Sequence, residues 1–469
     1  MSTSLPKNGS ARALADWISE TPEISDPLAR DRARVAFIDT IACMLAAADE
    51  PSTRHVFKAL RYNGQGICSA VGHSETLSAE NAALLNGTAA HALDYDDNFL
   101  PAVTHASAVL VPSLLSLGEE VGASGDQLLD AYIVGLEIQA WLGRHMIPSH
   151  YAAGWHATST IGAIGAAAAC VRILALDNQS ALGALSLATS MASGSKLQFG
   201  SMAKPLHAGL AARAGITAAR LAAAGVEANE EPFDGPWGFM SLHHSAQTDL
   251  MPLPDQLSIL KDGLAQKRWP CCASAHRSLD AIQALMQEHD LAATDIDTIE
   301  TIIPDSNFRN LRFNSPESEN EARFSMTYCA AVMAIRHTIR LADFKLEALQ
   351  DREVRHFAGK VRMMSAGPHS DEGIGIWDHP ATTVIRTISG EIFEQSVLHP
   401  TGTIHHPLSE TDLHQKFSEC AGFFLSPQQT VELYSRLLNF ENEKIRHIAP
   451  LLKRREALTA TDNRQQPAI

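Results

Sequence analysis

Four stretches carry side chains able to move protons or hold an anion. The first is His91-Ala-Leu-Asp94-Tyr-Asp96-Asp97-Asn98, followed by Thr104-His105-Ala-Ser107. The second is Gly154-Trp155-His156 and the third Lys204-Pro205-Leu-His207-Ala-Gly209. The fourth runs from Lys267-Arg268 through Pro270-Cys-Cys to His276-Arg277. Lysine and arginine make charge-assisted hydrogen bonds to carboxylates, so the third and fourth stretches suit a carboxylate clamp. Histidine titrates near neutrality and suits either acid or base work. Asp94, Asp96 and Asp97 sit at the C-terminal end of an expected helix, where the helix dipole opposes them. They call for a cation partner, a metal or a solvated turn.

Helices must position these groups. Asp26-Pro27 and Ser78-Ala-Glu-Asn read as helix starts, the latter running through Leu93 toward the aspartates. Further helices are expected near 106–121, 126–147, 156–174, 178–193 and 205–224. His156 then falls near one helix start. Pro205 fits the first position of another, with Lys204 beside it and His207 in its first turn. Free N–H groups, a lysine and a histidine together describe an anion site. Gly162, Gly165 and Ala169, and Ala208, Ala211, Ala212 and Gly215, recur at helical spacing and predict helices packed closely enough for their backbones to approach.

After about Lys261 the pattern changes. Ile296–Ile303 and Val361–Ser365 read as strands. Ala381–Ile388 and Glu391–Leu398 flank Ser389-Gly390 and predict a hairpin with a two-residue turn. Helices near 275–288, 324–338 and 343–349 lie among them, giving a small α+β unit with a mostly antiparallel sheet. From Leu408 the chain returns to helix. The fold expected is mainly α: a large all-helical domain of residues 1–262 and 405–469, and an inserted α+β lid of residues 263–404.

The 469 residues are 45% hydrophobic but only 6% aromatic, so the core must be aliphatic and alanine-rich. A formal net charge of −16 argues against nucleic acid as the main partner. No stretch reaches the roughly 18 apolar residues of a membrane span. The opening residues lack a basic region followed by an apolar run, and the seven cysteines show no CxxC spacing. A cytoplasmic protein with reduced thiols is expected. No P-loop, dinucleotide fingerprint or nucleophile elbow is present. His91, His105 and His156 lack metal-ligand spacing, so no metal is expected.

The four stretches, in this order, resemble the MmgE/PrpD family, which includes 2-methylcitrate dehydratase, cis-aconitate decarboxylase and iminodisuccinate epimerase. Phe324-Ser325-Met-x-Tyr328 and His399-Pro400-x-Gly402 add to the match. The resemblance implies a homodimer with its active site between helical domain and lid, and no metal or organic cofactor. It places Asp94, His105, His156, Lys204, Lys267, His276 and Tyr328 on motif positions that line the site. Asn98 stands where a threonine is often found.

The chemistry shared by that family works at a carbon next to a carboxylate. Lys204, Lys267 and Arg268 are expected to hold the carboxylates of a small di- or tricarboxylate. His105 and His156 are the acid and base candidates, with Asp94 orienting or charge-stabilising one of them. His276, Tyr328 and His207 complete the substrate-binding candidates, His207 having bracing of the helix start as its other reading. Dehydration of a 2-methylcitrate-like hydroxy acid ranks first, before epimerisation of an imino- or amino-dicarboxylate, cis-aconitate-type decarboxylation, or carboxylate binding without catalysis.

Overall fold

The computed structural model describes residues 11–61, 66–245, 250–368 and 379–453. The fold is mainly α, with one small sheet of four strands and a short antiparallel pair at Cys68–Ser69 and Thr76–Leu77. Local signals start the helices. The Asp26 carboxylate accepts from the N–H groups of Leu28 and Ala29, with Pro27 as first residue of the helix Pro27–Ala46. Ser78 caps Ala79–Ala92 by accepting from Asn81 N–H. Ser124 and Gln127 form a capping box for Gly125–Met146.

The helices Ala79–Ala92, Ala157–Ile173 and Ala203–Ala223 pack on one another at their small residues. A methyl group placed on Gly209 would lie 2.1 Å from the carbonyl oxygen of Leu84, and one on Gly215 would lie 2.4 Å from Ala166 Cβ. Only hydrogen fits at those crossings. This core extends from Ala11 to Leu264 and takes in Leu413 to Leu452 from the far end of the chain. A second core, from Trp269 to Ile385, lies under the sheet. No helix among the described residues is long and apolar enough to cross a membrane.

In the sheet, Val361–Ser365 pairs with Ile296–Ile303, which pairs with Ala381–Thr387, which pairs with Ile392–Val397. The first pairing is parallel and the other two antiparallel. The hairpin loop has three residues, Ile388-Ser389-Gly390, rather than two. Thr387 N–H donates to Glu391 O, and Gly390 takes a φ of 93°, the left-handed residue that such a loop requires.

Two local expectations shift. The Lys204 helix begins at Ala203, so Pro205 is its third residue, still in the turn whose N–H groups have no helical acceptor. Lys204 is therefore inside the first turn and His207 just beyond it. The expected helix 343–349 is a 3₁₀ turn, Leu341–Phe344, followed by the single turn Leu346–Leu349.

Candidate active site

The loop after Ala79–Ala92 organises the site. Asp94 takes a positive φ of 52°, uncommon for a residue with a side chain. The loop is then tied down at both ends. Asn98 and Ala265 exchange backbone hydrogen bonds, as do Phe99 and Thr104. Thr104 Oγ1 donates to Gln139 Oε1 at 2.8 Å. Val103, a β-branched residue at φ 51°, is held between these ties. The Asn98–Ala265 bridge brings Lys267 to the loop. Gly402 supports that segment from behind: its carbonyl accepts from Gln266 N–H, and a Cβ on Gly402 would lie 1.8 Å from Gln266 O.

A cleft of about 670 Å³, partly open to solvent, results. Asp94, His105, His156, Lys204 and Lys267 all line it. Asp94 lies between the two ammonium groups, with Lys204 Nζ 2.5 Å from Oδ1 and Lys267 Nζ 3.1 Å from Oδ2. Lys267 Nζ also donates to the Asp94 carbonyl at 2.7 Å. Burial alone would raise the Asp94 carboxyl, but Lys204 and Lys267 outweigh it and hold it well below the usual range. Burial likewise works against charge on Lys267, and Asp94 and Asp96 overcome it.

Two histidine pairs flank this centre. His105 Nδ1 lies 3.0 Å from Asp96 Oδ2, and His105 Nε2 is 4.0 Å from Asp94 Oδ1. Asp96 also faces His91 Nδ1 at 2.9 Å, so one carboxylate orients two imidazoles. On the other side His156 sits at the N-cap of Ala157–Ile173, its Nδ1 3.0 Å from His207 Nδ1. Burial pushes His105 and His156 below the ordinary histidine value; neighbouring Lys204 and histidines add to this at His156, and at His105 it outweighs Asp96. Both are thereby biased toward the neutral imidazole.

The remaining sequence candidates do not line this cleft. His207 stands behind His156 as its hydrogen-bond partner. His276 is buried with Nε2 3.2 Å from Cys271 O, and burial lowers it to about 3. Tyr328 is buried in the second core and donates its hydroxyl to Asp343 O. Arg268 points into a separate cleft with Trp269, Arg340 and Lys416, its guanidinium 4.6 Å from the Trp269 ring centre.

The cleft wall includes further residues, of which Phe324 and Cys272 lie in the quoted motifs. Tyr151, Phe199 and Phe324 supply aromatic surface, with Lys204 Nζ about 5 Å from the last two rings. Cys272, Ser274, Asn307 and Asn310 come from the segments bordering the second core. Asn98 and Asn307 each carry a buried side-chain amide nitrogen with no acceptor among the described residues. Tyr151 lies a few residues before Gly154-Trp155-His156, the one signal that could have found it. Asn307 and Asn310 carried none.

Among the described residues His91, Asp94, Asp96 and His105 are a set whose ligand atoms lie within 4.8 Å of one another. A divalent cation fits poorly there. Asp94 already faces two ammonium groups, which such an ion would meet at close range. The cleft walls instead offer donors, and the histidines can add positive charge by protonation. That arrangement suits an anion with several carboxylates.

The sequence comparisons agree with this class of site. Residues 12–249 match the MmgE/PrpD N-terminal domain and residues 269–439 the MmgE/PrpD C-terminal domain. The chain belongs to the MmgE/PrpD family. It is 32% identical over 377 residues to a protein named cis-aconitate decarboxylase from Homo sapiens, covering 77% of this chain and 76% of that one. It is 24% identical over 476 residues to the cis-aconitate decarboxylase of Aspergillus terreus (strain NIH 2624 / FGSC A1156), covering 95% and 96%. A similar match, 24% over 470 residues, is to the cis-aconitate decarboxylase-like protein oryM of Aspergillus oryzae (strain ATCC 42149 / RIB 40), covering 93% and 96%.

Proposed function

We propose that this chain is a lyase that removes carbon dioxide from a small unsaturated tricarboxylate of the cis-aconitate type. The observation that carries this reading is the agreement between the relatives' names and a cleft in which two lysines and two histidines surround one carboxylate. Dehydration, ranked first from the sequence, gives way to decarboxylation, one of its alternatives there.

The chemistry needs little from the protein beyond charge placement and one proton. In a β,γ-unsaturated carboxylate the bond to the departing carboxylate breaks. Its electron pair forms a new double bond to the adjacent carbon. The old alkene pair takes a proton at its far carbon, and carbon dioxide leaves. Lys204 and Lys267 stabilise the carboxylates that stay and the negative charge that develops beside them. His105 or His156, protonated as the polyanion enters, supplies the proton. Asp94 keeps the two ammonium groups together.

The test is proton NMR of purified protein with cis-aconitate in deuterated water. The expected product has lost one carboxylate and carries one solvent deuterium on the carbon that was the far alkene position. A hydroxy acid product, or exchange with inversion on an amino-dicarboxylate and no turnover of cis-aconitate, would replace this reading by dehydration or epimerisation. Thermal shifts with tricarboxylates and no turnover of any would make the protein a binder.

A further inference from the structure

The site's charged residues rest on a buried ammonium group that touches none of the cleft. Lys416 lies in the helix Glu410–Gly422, near the far end of the chain, and is 4% exposed. Its Nζ donates to Tyr95 O at 2.8 Å and to Lys267 O at 3.0 Å, and faces Asp39 Oδ1 at 2.6 Å. Two main-chain hydrogen bonds and one ion pair thus converge on this ammonium group. The same nitrogen sits 4.0 Å from the centre of the Tyr95 ring, whose hydroxyl donates to Arg268 O at 3.2 Å.

The two main-chain acceptors belong to residues that matter. Tyr95 is the peptide between Asp94 and Asp96. Lys267 is the residue whose side chain reaches back to Asp94. Nothing in the local sequence of either segment fixes their separation, since they are more than 170 positions apart. The Asn98–Ala265 bridge sets their approach at one end, and Lys416 joins them at the other. Asp39, on Pro27–Ala46, anchors the ammonium from the opposite side and is itself fully buried.

We propose that Lys416 is a positioning residue: it holds the Asp94–Asp96 turn and the Lys267 segment in register, so that both lysines can meet one carboxylate of the substrate as they now meet Asp94. This rests on the cleft being the substrate site, though not on which reaction occurs there.

Removing Lys416 alone would leave Asp39 buried and unpaired, and the protein would lose stability whatever the role of the lysine. The decisive protein is therefore the double variant Asp39→Asn/Lys416→Met, which removes both charges and both main-chain bonds. The expected result is a thermal midpoint close to that of the native protein, turnover of cis-aconitate lowered at least about tenfold, citrate affinity by calorimetry lowered to a similar degree, and faster amide exchange confined to residues 94–98 and 266–268. A double variant with native turnover, citrate affinity and amide exchange overturns the proposal. If the native protein itself neither turns over nor binds a tricarboxylate, the functional reading fails, and the exchange pattern alone decides the role of Lys416. Should the double variant not fold, Lys416→Arg keeps the ion pair but replaces a tetrahedral donor by a planar one. The same losses in that variant uphold the proposal, and native behaviour overturns it.

Discussion

Lys267 holds Asp94 twice, its Nζ lying 2.7 Å from the main-chain oxygen and 3.1 Å from Oδ2. The carboxylate therefore occupies the kind of position a substrate carboxylate would take between two ammonium groups. Asp94→Asn would leave Lys204 and Lys267 without the carboxylate that lies between them, a loss of about 3–5 kcal/mol for a broken buried pair. We expect a lowered melting temperature that citrate restores, with a larger citrate-induced rise than in the native protein. Equal rises in the two proteins would show that the lysines do not face the ligand.

His156→Ala is expected to lower turnover by about 10²–10⁴, the usual contribution of a positioned acid or base, with the fold intact by circular dichroism. His207→Ala acts one step back, through the 3.0 Å contact that fixes which nitrogen of His156 faces the cleft. Its loss in kcat should be smaller than that of His156→Ala, with a shifted pH profile and KM little changed. An unchanged profile would reduce His207 to packing.

Substrate binding should take up protons. Lys204 and Lys267 are balanced by Asp94 and Asp96, and burial holds His105 and His156 below the ordinary histidine value. A bound polyanion raises both, so citrate binding near pH 7 draws protons from the buffer. Calorimetry in two buffers of different ionisation enthalpy measures this, and identical heats would contradict it.

Acid should weaken the fold through its buried histidines, against the opposing contribution of Asp97, which burial raises to about 7. Burial lowers His91 and His276 to about 3 and His150 to about 4. The unfolded chain binds these protons near pH 6.5. The stabilisation from keeping them neutral is complete above that value and is lost as pH falls toward the folded values. Each contributes a slope of up to about 1.4 kcal/mol per pH unit. Urea midpoints should fall steadily from pH 6.5 to pH 4.5, and a flat profile would show these rings already charged.

Arg268→Ala should change kcat and KM by no more than about twofold, the range of a substitution away from the site. A tenfold rise in KM would return Arg268 to the carboxylate clamp.

What the sequence made legible follows physical range. Asp26 and Ser78 act within three residues, and their helices begin as read. Lys204 and Lys267 were marked by residue type, and charge needs a partner wherever it is buried. Arg268 shared that type and differs only in direction: it lines the second cleft, while the Lys267 side chain reaches Asp94. Tyr328 and His276 occupy motif positions, and their polar atoms end on main-chain oxygens. Lys416 gave no local signal, since a lone lysine in an amphipathic helix reads as surface until the helix is docked.

The crossing of Ala79–Ala92 and Ala203–Ala223 has a consequence for how this protein can change. One helix leads into Asp94 and the other begins with Lys204, and their gap is gauged at Gly87 and Gly209, where a methyl on the former would lie 2.8 Å from the α-carbon of the latter. Evolution can redraw the walls of the cleft residue by residue, but it has almost no freedom to widen this gauge. The reactions open to descendants of this sequence are those that fit a fixed distance between one carboxylate and one amine.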